Sequence, residues 1–369
     1  MQHVIIFNTL SQYGVVDDFV EGLRHAVLEL GYTASLIDVT SGQIPELSAL
    51  LGKTAMALSI NAVGADLYSR YPELETIDFY TLLIDHPVHL LGRFFNRPLK
   101  LLCVDKNHVR FCRALGAEAH FFPHAIWPQR GRQLSSGRDQ KQGILFPATY
   151  ISPDYYLNQI EQILPQLLPI LQQEAISDIN SLLNHLGFMQ AGKQQALPLT
   201  TATAKVLALS DLYLRALSRQ KLIDDCAANH IKLTIIGNSW QHAVKQPLHH
   251  YLPAEPFPEL LNRIAESKYV LHHNPGFLQG QHERILYSML LGTAVISEKN
   301  DYLTQRYGQQ GSIILYQQVA DLCELANAIS PQIYQELTSN AQQQVLRDDT
   351  WLVRLQQLRV NRTSASAQI

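Results

Sequence analysis

One tripeptide, His282-Glu283-Arg284, places an imidazole, a carboxylate and a guanidinium in the first turn of a predicted helix. The unpaired backbone N–H groups at the start of a helix bind anions, and phosphate is a frequent ligand there. Arg284 adds a planar fork of N–H donors that matches the oxygens of a phosphate. These residue types at this position therefore predict a site for a phosphorylated ligand.

The elements that position this tripeptide form one predicted β-α-β unit between residues 269 and 300. An apolar run at 269–271 is typical of a buried parallel strand, and residues 272–276 break it with turn chemistry. Apolar residues then recur at helical spacing from residue 281 until Gly292, and a second strand follows at 293–297. Ligands of open parallel sheets bind at the carboxyl ends of the strands, where this loop lies. Because His272 and His273 are adjacent on a strand end and point opposite ways, at most one of them faces the ligand.

This stretch resembles the donor-binding segment of the GT-B glycosyltransferases of group 1, and most of all their spore-maturation-protein (CgeB-like) branch. The resemblance rests on the loop, the H-E-R start, the apolar helix that ends in glycine and the strand that ends in serine, and it covers residues 231–300. It implies a nucleotide-sugar substrate, with a UDP-sugar as the expected donor and no cofactor required. The donor contacts that it implies are Gly237, Asn238, Trp240, Phe257, His273, Asn274, Pro275, Gly276, His282, Glu283 and Arg284.

The chain departs from the large retaining GT-B family at two positions. That family carries two glutamates eight residues apart, and the aligned residues here are Gln279 and Tyr287. Inversion and retention of the sugar's configuration therefore both stay open, as do the identities of the sugar and the acceptor.

Composition narrows the class of protein. The chain has 369 residues, 46% of them hydrophobic, which suits two globular domains. Its net charge of -3 gives no support for a nucleic-acid partner. It contains no apolar run of about 18 residues, so no membrane insertion is expected. Met1 is followed at once by a predicted strand, which favours a cytoplasmic location. The four cysteines show no C-x-x-C spacing and are expected to be reduced, and the oligomeric state stays open.

The fold class predicted is α/β, with two Rossmann-like domains of the GT-B type that face each other across a cleft. Residues 1–127 alternate apolar strands with helices and form the acceptor-side domain, and no G-x-G-x-x-G follows the first strand. Residues 128–142 are a polar linker, and 143–345 form the nucleotide-sugar domain with a helical insertion at about 153–226. Residues 346–369 are predicted to be a helix that crosses back, with Trp351 and Arg354 as its anchors, and a tail.

Three residues at predicted strand ends of the first domain are candidate catalysts: Asp85, His86 and His124. A carboxylate or imidazole at such a strand end, partly dehydrated, suits proton removal from an acceptor hydroxyl. Asp85 also suits the cap of a turn before Pro87, and His124 suits a hydrogen bond at the domain hinge.

Metal-dependent chemistry and two other functions are the alternatives to metal-independent glycosyl transfer. No D-x-D occurs in the chain, and His120 and His124 flank Phe121-Phe122-Pro123, where helix geometry is broken. His86 and His89 share only their spacing of three residues, so no metal site is expected. A GT-B-like sugar-nucleotide epimerase stays an alternative. The other alternative is a non-catalytic sugar-nucleotide-binding protein. The presence of Asp85, His86 and Arg284 argues against it.

Overall fold

A computed structural model describes the chain except residues 1, 10, 41–43, 45–46, 135–140, 244, 274 and 367–369. The chain divides into two compact units. The first comprises Met1–Trp127, Gln190–Gly192 and Asp348–Ile369, and the second comprises Pro128–Met189 and Lys193–Arg347. Within the described residues, no helix is long and apolar enough to cross a membrane.

Twelve strands run through the described chain: β1 His3–Asn8, β2 Thr33–Asp38, β3 Thr54–Ile60, β4 Asp78–Leu83, β5 Lys100–Cys103, β6 Ala119–Phe121, β7 Gln142–Pro147, β8 Leu233–Ile236, β9 His250–Leu252, β10 Ser267–His272, β11 Ala294–Glu298 and β12 Ile314–Tyr316. The α-helices between and after them are α1 Val15–Glu29, α2 Leu47–Leu51, α3 Leu91–Phe94, α4 Lys106–Ala114, α5 Pro128–Leu134, α6 Pro153–Ile163, α7 Leu168–Leu171, α8 Ile179–His185, α9 Thr201–Ala228, α10 Phe257–Glu266, α11 Glu283–Leu290, α12 Asp301–Arg306, α13 Asp321–Asn327, α14 Pro331–Asp348 and α15 Trp351–Ser366.

The first unit contains a six-stranded parallel sheet in the order β2-β1-β3-β4-β5-β6. The central residues of β1, Val4 to Phe7, are fully buried, as an apolar run between two helical layers requires. Since the chain moves from β1 first to one side and then to the other, the direction of winding reverses between β1 and β3. Parallel sheets of this kind bind ligands at that reversal point.

The second unit contains another six-stranded parallel sheet, in the order β12-β11-β10-β7-β8-β9. Here the winding reverses between β7 and β10, so the carboxyl ends of these two strands mark the expected ligand crevice. Helix α9 packs its buried residues Leu222, Ile223 and Cys226 into the core of this sheet. The predicted α/β class with two parallel sheets is confirmed.

The predicted elements lie within a few residues of those observed, with two differences. Residues 128–134 of the predicted linker form helix α5, and 135–140 lie outside the described residues. The helix predicted within residues 346–369 is not continuous: it comprises the end of α14 and the whole of α15. In the first unit, Trp351 of α15 packs edge-on against Phe19 of α1, with ring centroids 5.6 Å apart, and the guanidinium of Arg354 donates to the carbonyl oxygen of Pro123 at 3.2 Å.

Candidate functional site

The start of α11 is built by the tripeptide that the sequence singled out. His282 is the N-cap residue, and its Nδ1 lies 2.6 Å from Oε2 of Glu283 and 3.4 Å from the backbone nitrogen of Arg284. The preceding Gln281 is buried, and its Oε1 accepts hydrogen bonds from the hydroxyl groups of Tyr302 and Tyr307 at 3.1 and 2.5 Å. The loop therefore enters the helix from a fixed position.

The other end of α11 is fixed by a lysine. Lys141 Nζ donates to the carbonyl oxygens of Leu291 and Gly292 at 2.9 and 2.7 Å, and Gly292 adopts the left-handed conformation predicted for it, with φ 64°. A cation at the carboxyl end satisfies the last carbonyl groups and complements the helix dipole. Both ends of α11 are thus held, and its N–H groups keep one direction.

Two arginines of α9 join Arg284, and the sequence analysis missed both. Burial and the positive charges of Arg215 and Arg284 lower the pKa of Arg219 to about 9, so the guanidinium of Arg219 lies close enough to both of the others to be repelled by them. Arg215 and Arg219 are four residues apart and therefore share one face of α9. The sequence signal that could have identified them is the spacing of Asp211, Arg215 and Arg219, four residues apart in turn. This spacing lies inside the stretch interpreted as a helical insertion.

The three arginines differ in how they are held. Buried Asp211 forms an ion pair with Arg215, and Arg219 donates to the carbonyl oxygen of Thr149, just after β7. Arg284's guanidinium makes no hydrogen bond and no ion pair within the residues that the structure describes, and burial lowers its pKa. The Nε atoms of Arg215 and Arg219 are buried without a hydrogen-bond partner there. Positive charge and N–H donors therefore collect at the carboxyl ends of β7 and β10.

The two histidines at the end of β10 are buried and uncharged at neutral pH. Burial, with the charges of His282 and Arg284 as the next causes, lowers the pKa of His272 well below its usual value. Burial, then Arg219 and Arg215, lowers the pKa of His273 to about 3. His273 Nε2 lies 3.0 Å from the hydroxyl oxygen of Ser218, and its Nδ1 lies 4.0 Å from Oε2 of Glu298.

A cavity of about 450 Å³ opens beside His273 in the second unit. Its polar lining includes Ser218, Lys221 and Asp225 of α9, together with Glu298 at the end of β11. Burial raises the pKa of the Glu298 carboxyl group. The cavity therefore offers hydrogen-bond donors and acceptors to a polar ligand next to the arginines.

Several of the predicted donor contacts have structural roles in the second unit. A Cβ atom at Gly237 would lie 2.1 Å from the carbonyl oxygen of Ala148, so only glycine fits this close approach. The indole of Trp240 is buried and donates to the same oxygen at 2.7 Å. Phe257 is buried and packs edge-on against Tyr287, with ring centroids 5.2 Å apart. These side chains shape the sheet edge, and donor contact by them stays a prediction.

The remaining predicted contacts lie in two loops. Asn238 is half-buried, and its carbonyl oxygen accepts from the backbone N–H of Tyr150 at 2.9 Å. Pro275 is half-buried and Gly276 buried in the loop before α11, while Asn274 lies outside the described residues.

The first unit has its own cavity, of about 700 Å³, at the point where its winding reverses. The loops after β1, β3 and β4 line it, as they must at that edge of a parallel sheet. Its polar side chains are Thr9, Ser11, Asn61, Asp66, Asp85, Arg93 and Arg97. Of the three predicted catalytic residues, Asp85 is the one that lines this cavity.

Asp85 is held by Asn61, which adopts the left-handed conformation with φ 52°. The Oδ1 atom of Asn61 accepts from the backbone N–H groups of Ile84 and Asp85 at 3.0 and 3.4 Å, so its Nδ2 must be the atom that donates to Oδ2 of Asp85 at 2.7 Å. Ala62 is also left-handed, with φ 57°, and its N–H donates to the hydroxyl of Thr81 at 2.8 Å. Two consecutive residues in this conformation are strained, and such strain concentrates at functional sites.

The other two candidate catalysts lie elsewhere in the first unit. His86 is fully buried, and its ring packs edge-on against that of His108, with centroids 4.4 Å apart. Its Nδ1 accepts from the backbone N–H of Val88 at 3.3 Å. His124 is buried too, with its ring 5.8 Å from that of Phe19. Neither lines the cavity, and Asp85 itself is exposed, where the sequence analysis expected it to be partly dehydrated.

Within the described residues, no group of three histidine, cysteine, aspartate or glutamate side chains has the arrangement of a metal site. Tyr287, at one of the two family glutamate positions, is fully buried within α11. Its side chain packs in the core, with its ring edge-on to that of Phe257.

Known proteins share this architecture. HepE of Anabaena in complex with UDP-glucose superposes with a TM-score of 0.54 over 99% of this chain and 100% of that chain, at 11% identity. Sucrose-phosphate synthase of Thermosynechococcus elongatus superposes with a TM-score of 0.51 over 100% of both chains, at 10% identity. The fold is GT-B.

A sequence family described as glycosyl transferase-like matches residues 215–359 of this GT-B chain. The match includes all three arginines and the whole of α11. No curated protein matches the chain. The predicted GT-B fold is confirmed by the solved structures, and the predicted glycosyltransferase function is supported by the glycosyl transferase-like domain at residues 215–359.

Proposed function

We propose that this protein transfers a hexose from a UDP-sugar to an acceptor hydroxyl without a metal ion. The observation that carries the proposal is that Arg219, beside Arg215 on α9, lies close to Arg284 in the first turn of α11, at the reversal point of the second sheet. A diphosphate carries two or more negative charges, and it would satisfy N–H donors that otherwise lack partners.

The same arginines would stabilise the nucleotide as it leaves the sugar. When the bond between the sugar and the diphosphate breaks, negative charge develops on the leaving oxygen. Guanidiniums and helix N–H groups that are already in position stabilise this charge without reorganising. With a pKa of about 9, Arg219 stays charged at neutral pH, so it provides positive charge of the kind that a divalent cation provides in other diphosphate sites.

The sugar would enter the cavity beside His273. Neutral His273 and the hydroxyl group of Ser218, which lie within hydrogen-bond distance of each other, can both form hydrogen bonds with the sugar. The carboxyl oxygens of Glu298 can accept hydrogen bonds from sugar hydroxyl groups. The size of about 450 Å³ suits a hexose with part of the nucleotide.

Asp85 is the proposed general base. It lies in a separate cavity of the first unit, where the acceptor would bind, and its Oδ1 has no hydrogen bond within the described residues. Proton transfer to Asp85 fits inversion of configuration. In the alternative, a retaining reaction, the leaving phosphate takes the proton and Asp85 only orients the acceptor. The H-E-R start of α11 supports membership of the spore-maturation-protein branch. A cytoplasmic location stays a prediction.

The test is incubation of the purified chain with UDP-glucose, with EDTA present, followed by separation of UDP, free sugar, new glycosides and epimerised UDP-sugar. Release of UDP together with glucose or a glycoside supports the proposal. Conversion to an epimer without UDP release would establish the rival epimerase. Tight UDP binding without any turnover across a panel of UDP-sugars would support a non-catalytic binding protein.

A further inference from the structure

We propose that the cavity of the first unit binds an acceptor that carries an anionic group, a phosphate or a carboxylate, on Arg93 and Arg97. This inference rests on the proposed glycosyl transfer and adds the chemical class of its acceptor. It follows from the charges that line the cavity, and no nucleotide contact enters into it.

The acidic residues of the cavity do not neutralise these two arginines. Asp66 pairs with Arg70, with 3.6 Å between Oδ2 and the guanidinium, and Asp85 accepts from Asn61. Within the part of the chain that the structure describes, Arg97 makes neither a hydrogen bond nor an ion pair.

Arg93 makes one contact there, from its NH1 to the carbonyl oxygen of Asn61 at 3.3 Å. Two guanidiniums thus line one concave surface without a carboxylate partner.

A neutral sugar would make poor use of this lining. Guanidinium groups bind carboxylates and phosphates through two parallel hydrogen bonds, and such charge-assisted bonds are about twice as strong as neutral ones. The cavity, of about 700 Å³, holds a molecule of the size of a phosphorylated or acidic sugar. The arginines and the cavity size together therefore select a small anionic acceptor.

The arrangement also orients such an acceptor. Asn61 receives Arg93 at its backbone oxygen and holds Asp85 with its amide nitrogen. Asn61 therefore contacts both an arginine of the proposed anion site and the proposed base. An acceptor anchored by its anionic group would present its hydroxyl groups to a carboxylate that lies at a fixed place in the same cavity.

The experiment measures binding of three sugars by calorimetry: glucose, glucose 6-phosphate and glucuronic acid. We expect at least one anionic sugar to bind more tightly than glucose by roughly 10- to 100-fold. The preferred one of the two identifies phosphate or carboxylate as the recognised group. We expect Arg97→Gln to abolish most of this preference and Arg97→Lys to restore part of it. Arg110→Gln, an exposed arginine of α4 outside the cavity, is the matched control and should keep the preference.

Two results would overturn the inference: equal binding of all three sugars, including no binding of any, or an unchanged preference in Arg97→Gln. These results do not depend on catalysis. Release of UDP from UDP-glucose by the unaltered protein tests the proposed glycosyl transfer separately, so a failure of either proposal can be told apart from a failure of the other.

Discussion

The side-chain amide of Asn61 donates a hydrogen bond of 2.7 Å to the carboxylate of Asp85, across two loops that are 24 residues apart in sequence. Backbone N–H groups fix the other end of that amide, so the direction of the bond is set by the fold. The carboxylate is thereby held in one place at the wall of the cavity. This relationship makes Asp85 the best placed of the three candidate bases.

Asp85→Asn should lower turnover by roughly 10²- to 10⁴-fold, because the amide cannot accept the acceptor's proton. UDP affinity should change little, since the proposed nucleotide site is built by other elements. Steady-state rates at saturating donor, together with calorimetry of UDP, check both expectations. Asp66→Asn is the matched control, an amide in place of a carboxylate in the same cavity. Equal rates for the two variants would remove Asp85 from the mechanism and favour retention.

Asn61→Ala should lower the free energy of unfolding by about 2 kcal/mol and lower turnover as well. Alanine is strained in the left-handed conformation by about 1 kcal/mol, and the lost hydrogen bonds contribute about as much again. Asn61→Gly relieves the strain and still loses the hold on Asp85, so it should regain stability and keep the low turnover. Chemical denaturation and rates for both variants separate strain from positioning. Full activity in Asn61→Gly would show that Asp85 does not need this bond.

Arg219→Ala and Arg284→Ala should each weaken UDP binding by about 1.5–3 kcal/mol, the usual size of a charge-assisted contact. Calorimetry of UDP with each variant measures the loss. Arg263→Ala is the control, because Arg263 belongs to the same unit and pairs with Glu255 at 3.0 Å on the surface. If Arg284→Ala weakens binding and Arg219→Ala does not, the arginines of α9 serve the fold and only the start of α11 holds phosphate.

His273 should make the protein less stable in acid. Its pKa is about 3 in the folded state and about 6.5 in an unfolded chain, so between these values the unfolded chain binds a proton that the folded protein does not. The stabilisation is complete above about pH 6.5, and it declines by about 1.4 kcal/mol per pH unit as the pH falls toward 3. Denaturation curves of His273→Gln should show a shallower decline than those of the unaltered protein. His242→Gln, on the surface, should show the same decline as the unaltered protein.

Gly237→Ala should lower the stability of the second unit by about 3 kcal/mol or more, because the new Cβ would meet the backbone oxygen of Ala148 at 2.1 Å and neither strand end can move freely. Gly52→Ala is the control, since nothing lies within 4 Å of a Cβ there. Thermal melting curves of both variants make the comparison. An unchanged melting temperature for Gly237→Ala would mean that the loop after β8 yields easily.

The sequence by itself determined the order of elements and the start of α11. The signals are local: apolar runs such as Val4 to Phe7 predict strands, and a glycine such as Gly292 predicts the end of a helix. Each such element depends on residues that are neighbours in sequence. The H-E-R tripeptide was readable for the same reason. The family match at residues 215–359 then supported the class of protein that this local pattern predicted.

Only the tertiary structure brought Arg219 to Arg284, some 65 residues away in sequence, and Asn61 to Asp85. It also placed the rings of His86 and His124 in the core, although both follow strand ends as Asp85 does. A strand end fixes which edge of the sheet a residue occupies. Whether its side chain then points to a cavity or into the core depends on the backbone turn after the strand and on what packs there, and neither is set by residue type or spacing.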